Sequence, residues 1–195
     1  MNLPNQLTVA RFFLTIVFVA ALSSEWAWRF TVGLVVFIAA GITDYFDGAI
    51  ARRRSLVTDF GKLMDPLADK IMIAAAFICL VPLHAIPAWA AVVIISREFL
   101  ITGLRLLAAG KGVVLSSERL GKHKTAWQIA MVIYFLLLLV LKEWELAGHL
   151  SAILLTPFPH AWIYGGRTLL AVTLGLTLYS GIRYLWKHRA LIASA

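Results

Sequence analysis

Charge is scarce in this chain. Only 14% of the 195 residues are Asp, Glu, Lys or Arg, and acids are the rarer sign, 10 against 18 bases. So little charge beside 61% hydrophobic residues and a mean hydropathy of +0.85 excludes an ordinary soluble domain and points to an integral membrane protein. There is one cysteine, Cys79, inside an apolar run, so a disulfide framework is excluded and a buried, inert thiol is the natural reading. No basic n-region with a small-residue cleavage site opens the chain, so the first apolar run is expected to stay as a membrane helix. The formal net charge of +8 is spread between apolar runs, which favours lipid headgroups over nucleic acid as the anionic partner. No internal repeat, low-complexity tract or second domain interrupts residues 1–195, so we read a single membrane-embedded domain.

What remains is an all-α layout of six transmembrane helices behind a short N-terminal interfacial segment. Asn2 to Gln6, around Pro4, forms that segment, and the first span runs from about Leu7 to Leu22. Arg11, near its start, reads as an interfacial anchor or a residue facing a site. The second and third spans run from about Phe30 to Ala51 and from Asp59 to Leu80, with a kink or local opening expected at Asp65-Pro66. Pro82 and Pro87 bracket an uncharged turn, and the fourth span, about Ile86 to Ala109, carries Arg97, Glu98 and Arg105. Charges that deep need partners or a water-filled cavity; an Arg97–Glu98 ion pair is the plain explanation. A polar loop, Gly110 to Lys124, leads to a fifth span over about Thr125 to Leu141. An interfacial stretch with Trp144, Pro157 and Pro159 then leads to a sixth span, about Ile163 to Leu185. The turns after the second and fourth spans and the tail hold most loop Lys and Arg, which places both termini in the cytoplasm.

Membrane segments should hold no acids, yet Asp44, Asp47, Asp65 and Asp69 flank the basic turn Arg52-Arg53-Arg54. On helices, Asp44, Asp47, Gly48, Ala51 and Arg52 share one face, and Gly61, Asp65 and Asp69, four residues apart, share another. Clustered carboxylates repel one another, and a bound divalent cation is the ordinary remedy.

The pattern Asp44-x-x-Asp47-Gly48-x-x-Ala51-Arg52, eight residues, then Gly61-x-x-x-Asp65-x-x-x-Asp69 resembles the signature of the CDP-alcohol phosphotransferases at every fixed position. The six-span layout is similar too. SREFLITGLRLLAA after Ile95, Gly121-Lys122-His123-Lys124-Thr125, and NLPNQLTVAR at the start resemble the bacterial phosphatidylglycerophosphate synthases. The resemblance implies an enzyme that moves the phosphatidyl group of CDP-diacylglycerol to glycerol 3-phosphate and releases CMP. Cardiolipin, phosphatidylinositol phosphate and phosphatidylserine synthases, which share the main motif, are the alternatives, and an ion-coupled transporter is a remote one. It implies Asp44, Asp47, Asp65 and Asp69 as ligands of Mg²⁺ or Mn²⁺, two ions in all, with Asp69 also the candidate base. Gly48, Ala51, Arg52, Thr58 and Gly61 would hold the CDP-lipid: small residues admit the nucleotide and a guanidinium pairs with phosphoryl oxygens. Arg97, Arg105, Lys122 and Lys124 suit an acceptor that is itself a phosphate. The implied setting is a homodimer in the bacterial cytoplasmic membrane, multi-pass and among membrane lipids, with its site facing the cytoplasm and no nucleic acid partner.

Overall fold

The computed structural model describes residues 3–54, 59–110, 119–151 and 157–189; for 3–8, 44–54, 59–66, 69, 119–122 and 158 it describes the backbone alone. Every regular element among them is helical: α1 (Leu3–Ser23), α2 (Arg29–Arg54), α3 (Asp59–Leu80), α4 (Ala88–Gly110), α5 (Arg119–Leu146), α6 (Phe158–His160), a π-helical turn (Ala161–Gly165) and α7 (Gly166–Lys187). Two helices, His123–Leu146 and Ala161–Lys187, are long and apolar enough to cross a bilayer, with mean hydropathies of 1.9 and 1.2. At 1.5 Å per residue both exceed the ~30 Å of hydrocarbon in a bilayer. Charge rather than length sets α4 apart, since any 18-residue window in it includes Arg97, Glu98 and Arg105.

Several boundaries differ from the sequence reading. The helix α1 already begins at Leu3 and takes in the residues expected as a separate interfacial segment. Pro4 is tolerated there because first-turn amides have no intrahelical acceptor. Through Asp65-Pro66 α3 continues unbroken, for a proline removes one bond of the ladder and leaves its neighbours. Helix α5 starts at Arg119, so Lys122 and Lys124 are helical residues and not part of a loop.

Two turns end in the same way. Ala85 N donates to Leu80 O and His84 N to Val81 O, while His149 N donates to Trp144 O and Gly148 N to Glu145 O. These paired bonds are Schellman caps, whose left-handed position is held by Gly148 (φ 75°) in one and by His84 (φ 56°) in the other.

A single core joins α1 to α5 through Phe18, Phe37, Phe77, Ile94, Met131 and Phe135. Phe18 lies 5.9 Å from Phe37, and Gly33 faces Leu22, so α1 and α2 run antiparallel. Tyr134 donates to Ala161 O (2.7 Å) and Phe135 packs edge-on to Trp162, which seats α5 on the start of α7. At the other end of α5, the carboxylate of Glu143 accepts from Phe30 N and Thr31 N, both at 2.9 Å. These are orphan amides in the first turn of α2, so the C-terminal end of α5 caps the N-terminus of α2.

Candidate active site

The acidic motif is divided between the last turns of α2, which carry Asp44, Asp47, Gly48, Ala51 and Arg52, and the first half of α3, which carries Gly61, Asp65 and Asp69. Their side chains lie outside the described residues, as does that of Lys122; Thr58, between the helices, lies wholly outside them. At about 100° per residue, helical backbone sets the α2 positions within an arc of about 140° and the α3 positions within about 80°. Each half of the motif is thus one helix face.

The next residue of α3 leads into a described polar centre. Lys70 Nζ lies 3.5 Å from Glu98 Oε2, and Glu98 Oε1 accepts from Lys124 Nζ, from Gln128 Nε2 at 3.2 Å and from Arg97 Nη1 at 3.4 Å. One buried carboxylate therefore ties α3, α4 and α5 together, directly after the motif's last aspartate. Burial makes this arrangement consequential: a carboxylate out of water needs all its lone pairs engaged, and here four donors converge on it. Arg97 and Glu98 do pair, as expected, but within a four-donor cluster.

Lys124, expected among the acceptor-phosphate residues, is only 2% exposed and is bonded to Glu98, which makes it part of the support. Arg97 is held on two sides, since Nη1 donates to Glu98 and Nη2 to Ser180 Oγ (3.1 Å), whereas its buried Nε has no hydrogen-bond partner. Arg105, two turns further along α4, donates from Nε to Tyr184 Oη (3.3 Å) and has its guanidinium carbon 5.4 Å from the centre of that ring. Residues 97 and 105 thus meet 180 and 184 in the same order, so α4 and α7 run parallel. Arg11, expected as an anchor or site residue, is 3% exposed, which excludes snorkelling; one turn on, Thr15 Oγ1 reaches Met72 Sδ of α3 at 3.3 Å. Among the described residues no three His, Cys, Asp or Glu are grouped to hold a metal.

Sequence reasoning missed Lys70, Gln128, Ser180 and Tyr184. A signal was present for some: Gln128 interrupts an apolar run, and Thr173, Thr177 and Ser180 recur at i, i+4 and i+7 as a buried polar stripe on α7.

Residues 1–178 match the model of the CDP-alcohol phosphatidyltransferase family. The chain belongs to that family. Among similar proteins, one of Bacillus subtilis (strain 168) is 46% identical over 148 residues, 70% of this chain and 77% of that protein. One of Salmonella typhimurium (strain LT2) is 34% identical over 190 residues, 94% and 93% of the two chains. A third, of Rickettsia felis, is 41% identical over 128 residues, 66% and 71%. All three are named CDP-diacylglycerol–glycerol-3-phosphate 3-phosphatidyltransferase. As a phosphatidyltransferase of this family with bilayer-length apolar helices, the protein is a membrane enzyme.

Proposed function

We propose that this phosphatidyltransferase moves the phosphatidyl group of CDP-diacylglycerol to glycerol 3-phosphate. The observation that carries the reading is the tie from Lys70, next to Asp69, through Glu98 to Arg97. It links the arginine-bearing helix α4 to the residue that follows the acidic motif in α3, which supports an anionic acceptor.

Four carboxylates make an all-oxygen donor set, which fits a hard divalent cation, so Asp44, Asp47, Asp65 and Asp69 would hold Mg²⁺ or Mn²⁺, two ions in all. When bound, the cations supply neutralisation of the pyrophosphate and of the departing CMP. By the family resemblance Gly48, Ala51 and Gly61 would leave room for the nucleotide, Thr58 would contribute a hydroxyl to the cytidine, and Arg52 would pair with phosphoryl oxygens. In the transfer, an acceptor hydroxyl oxygen bonds to the phosphorus carrying diacylglycerol, the bond from that phosphorus to the CMP oxygen breaks, and the hydroxyl proton passes to Asp69. Arg97, Arg105 and Lys122 hold the acceptor's phosphate, with Lys124 fixing Glu98 behind them. Arg97 and Arg105 are both partly withdrawn from solvent, which strengthens their contacts relative to water.

The same reading makes the enzyme a multi-pass homodimer of the bacterial cytoplasmic membrane, six spans per chain, with its site open to the cytoplasm. The test is direct. Purified protein is incubated with CDP-diacylglycerol and, in parallel, glycerol 3-phosphate, serine, inositol phosphate or phosphatidylglycerol, and CMP is measured. Release is expected with glycerol 3-phosphate alone; release only with serine or phosphatidylglycerol overturns the acceptor, and release with none overturns the transfer.

A further inference from the structure

The helix α7 carries no part of the acidic motif, yet it touches both arginines of α4. Ser180 Oγ donates to Thr177 O (3.2 Å), which spends its proton and turns a lone pair to Arg97 Nη2 at 3.1 Å. Gly181 leaves the space beside it: a Cβ there would stand 3.1 Å from Arg97 Cγ and 3.4 Å from Nε, closer than ordinary contact. One turn on, Tyr184 accepts from Arg105 Nε through its hydroxyl (3.3 Å) and underlies the guanidinium with its ring. All three residues are buried. An arginine side chain has many rotamers, and fixing two of them before a ligand arrives removes part of the ordering cost of binding.

We propose that the Ser180–Gly181–Tyr184 face of α7 is the positioning element of the acceptor site, holding Arg97 and Arg105 in the geometry that receives a phosphate. It rests on the reading of those arginines as acceptor-phosphate residues. Neither Ser180 nor Tyr184 touches substrate in this scheme; each acts through a guanidinium. Arg97 is thus held through Nη1 by Glu98 and through Nη2 by Ser180, with its Nε packed beside Gly181.

The test uses full-length enzyme in mixed micelles, with CMP release measured while each substrate is varied in turn. Tyr184→Phe removes the acceptor of Arg105 and keeps the ring; Ser180→Ala removes that of Arg97. Each is expected to raise KM for glycerol 3-phosphate about three- to tenfold, the loss of one such hydrogen bond, with kcat and KM for CDP-diacylglycerol within twofold. Ser180→Thr, which keeps the hydroxyl, should recover most of the affinity lost in Ser180→Ala. In an Arg105→Gln background, Tyr184→Phe should change KM by less than twofold, since its partner is already gone. Unchanged acceptor KM in both single variants, equal shifts for both substrates, or a full further loss in the Arg105→Gln background each overturn the proposal. Arg105→Gln with normal acceptor KM would instead remove the acceptor reading beneath it. Should Tyr184→Phe fail to fold, Ser180→Ala and its threonine rescue decide.

Discussion

Replacing Glu98 with Gln tests the centre that joins α3, α4 and α5. The substitution keeps size and two lone pairs but removes the charge faced by Lys70, Arg97 and Lys124. Lys124 is the most exposed to the loss in energetic terms, because it is almost fully buried and Glu98 is its ion-pair partner in the structure. Leaving a buried charge uncompensated costs about 3 to 5 kcal/mol, so Glu98→Gln should lower unfolding stability by about 3 kcal/mol, with the retained lone pairs keeping it at the low end. The reverse deletion is milder. In Lys124→Met the carboxylate still has Lys70, Arg97 and Gln128, so the loss is one charge-assisted bond, about 1.5 to 3 kcal/mol, partly returned by the apolar side chain. The pair should be strongly non-additive: Glu98→Gln with Lys124→Met together should be more stable than Glu98→Gln alone, because no buried ammonium is left behind. Tryptophan fluorescence during denaturant unfolding in detergent reads all three. If Glu98→Gln matches the unsubstituted protein, or Lys124→Met is the more damaging, the carboxylate is not what holds the three helices together.

Glu143→Ala strips the acceptor from two amides in the first turn of α2 and should cost about 2 kcal/mol of stability, while transfer in the folded protein stays within about twofold, as measured by paired thermal and CMP-release assays. His84→Gly should stabilise by about 0.5 to 1 kcal/mol, since the left-handed cap position strains a side chain that glycine lacks; a lower melting temperature would count against the cap. Asp47→Asn, or EDTA on the intact enzyme, should lower CMP release by orders of magnitude without loss of extractable protein, and unchanged turnover in either would refute the carboxylate–cation reading. Single cysteines at Ser55 and Ser117, in a Cys79→Ser background, should escape a membrane-impermeant thiol reagent on whole cells; labelling of either from outside refutes the proposed orientation.

Hydropathy reads each residue's own preference for water or hydrocarbon, and where that preference decides structure the sequence was legible. It located α2, α3, α4 and α7 to within a few residues, and the regular spacing from Asp44 to Asp69 led to the family. It misjudged α5 at both ends for one physical reason. Lys122, Lys124, Glu143 and Glu145 lower the local hydropathy, so the apolar run looked like Thr125 to Leu141, whereas the helix spans Arg119–Leu146. Two of the charges that appear to terminate it have distant partners: Lys124 meets Glu98 across 26 residues and Glu143 meets Phe30 across 113. A neutralised, hydrogen-bonded charge does not end a helix, and no local window can see that neutralisation.

Arg11 shows the same blind spot, for a lone arginine one turn into a span reads as a surface anchor until packing of α1 on α3 buries it. The α7 contacts lay further out of reach. Ser180 and Tyr184 are unremarkable in an apolar helix, and only the parallel approach of α4 gives them guanidiniums to hold. The division has a physical origin in how the site is made. Reacting groups must share a helix face to meet one phosphate, which imprints a fixed spacing on the sequence. Groups that orient them need only come from any helix lying alongside, so their spacing is that of an ordinary helix face and does not point to the motif. Glu143 completes the contrast from the far end of the bundle, where it fixes α2 against α5 without belonging to any motif. The cap sits in the first turn of α2 and the acidic positions in its last turns, so Glu143 can stabilise the helix without taking part in the transfer.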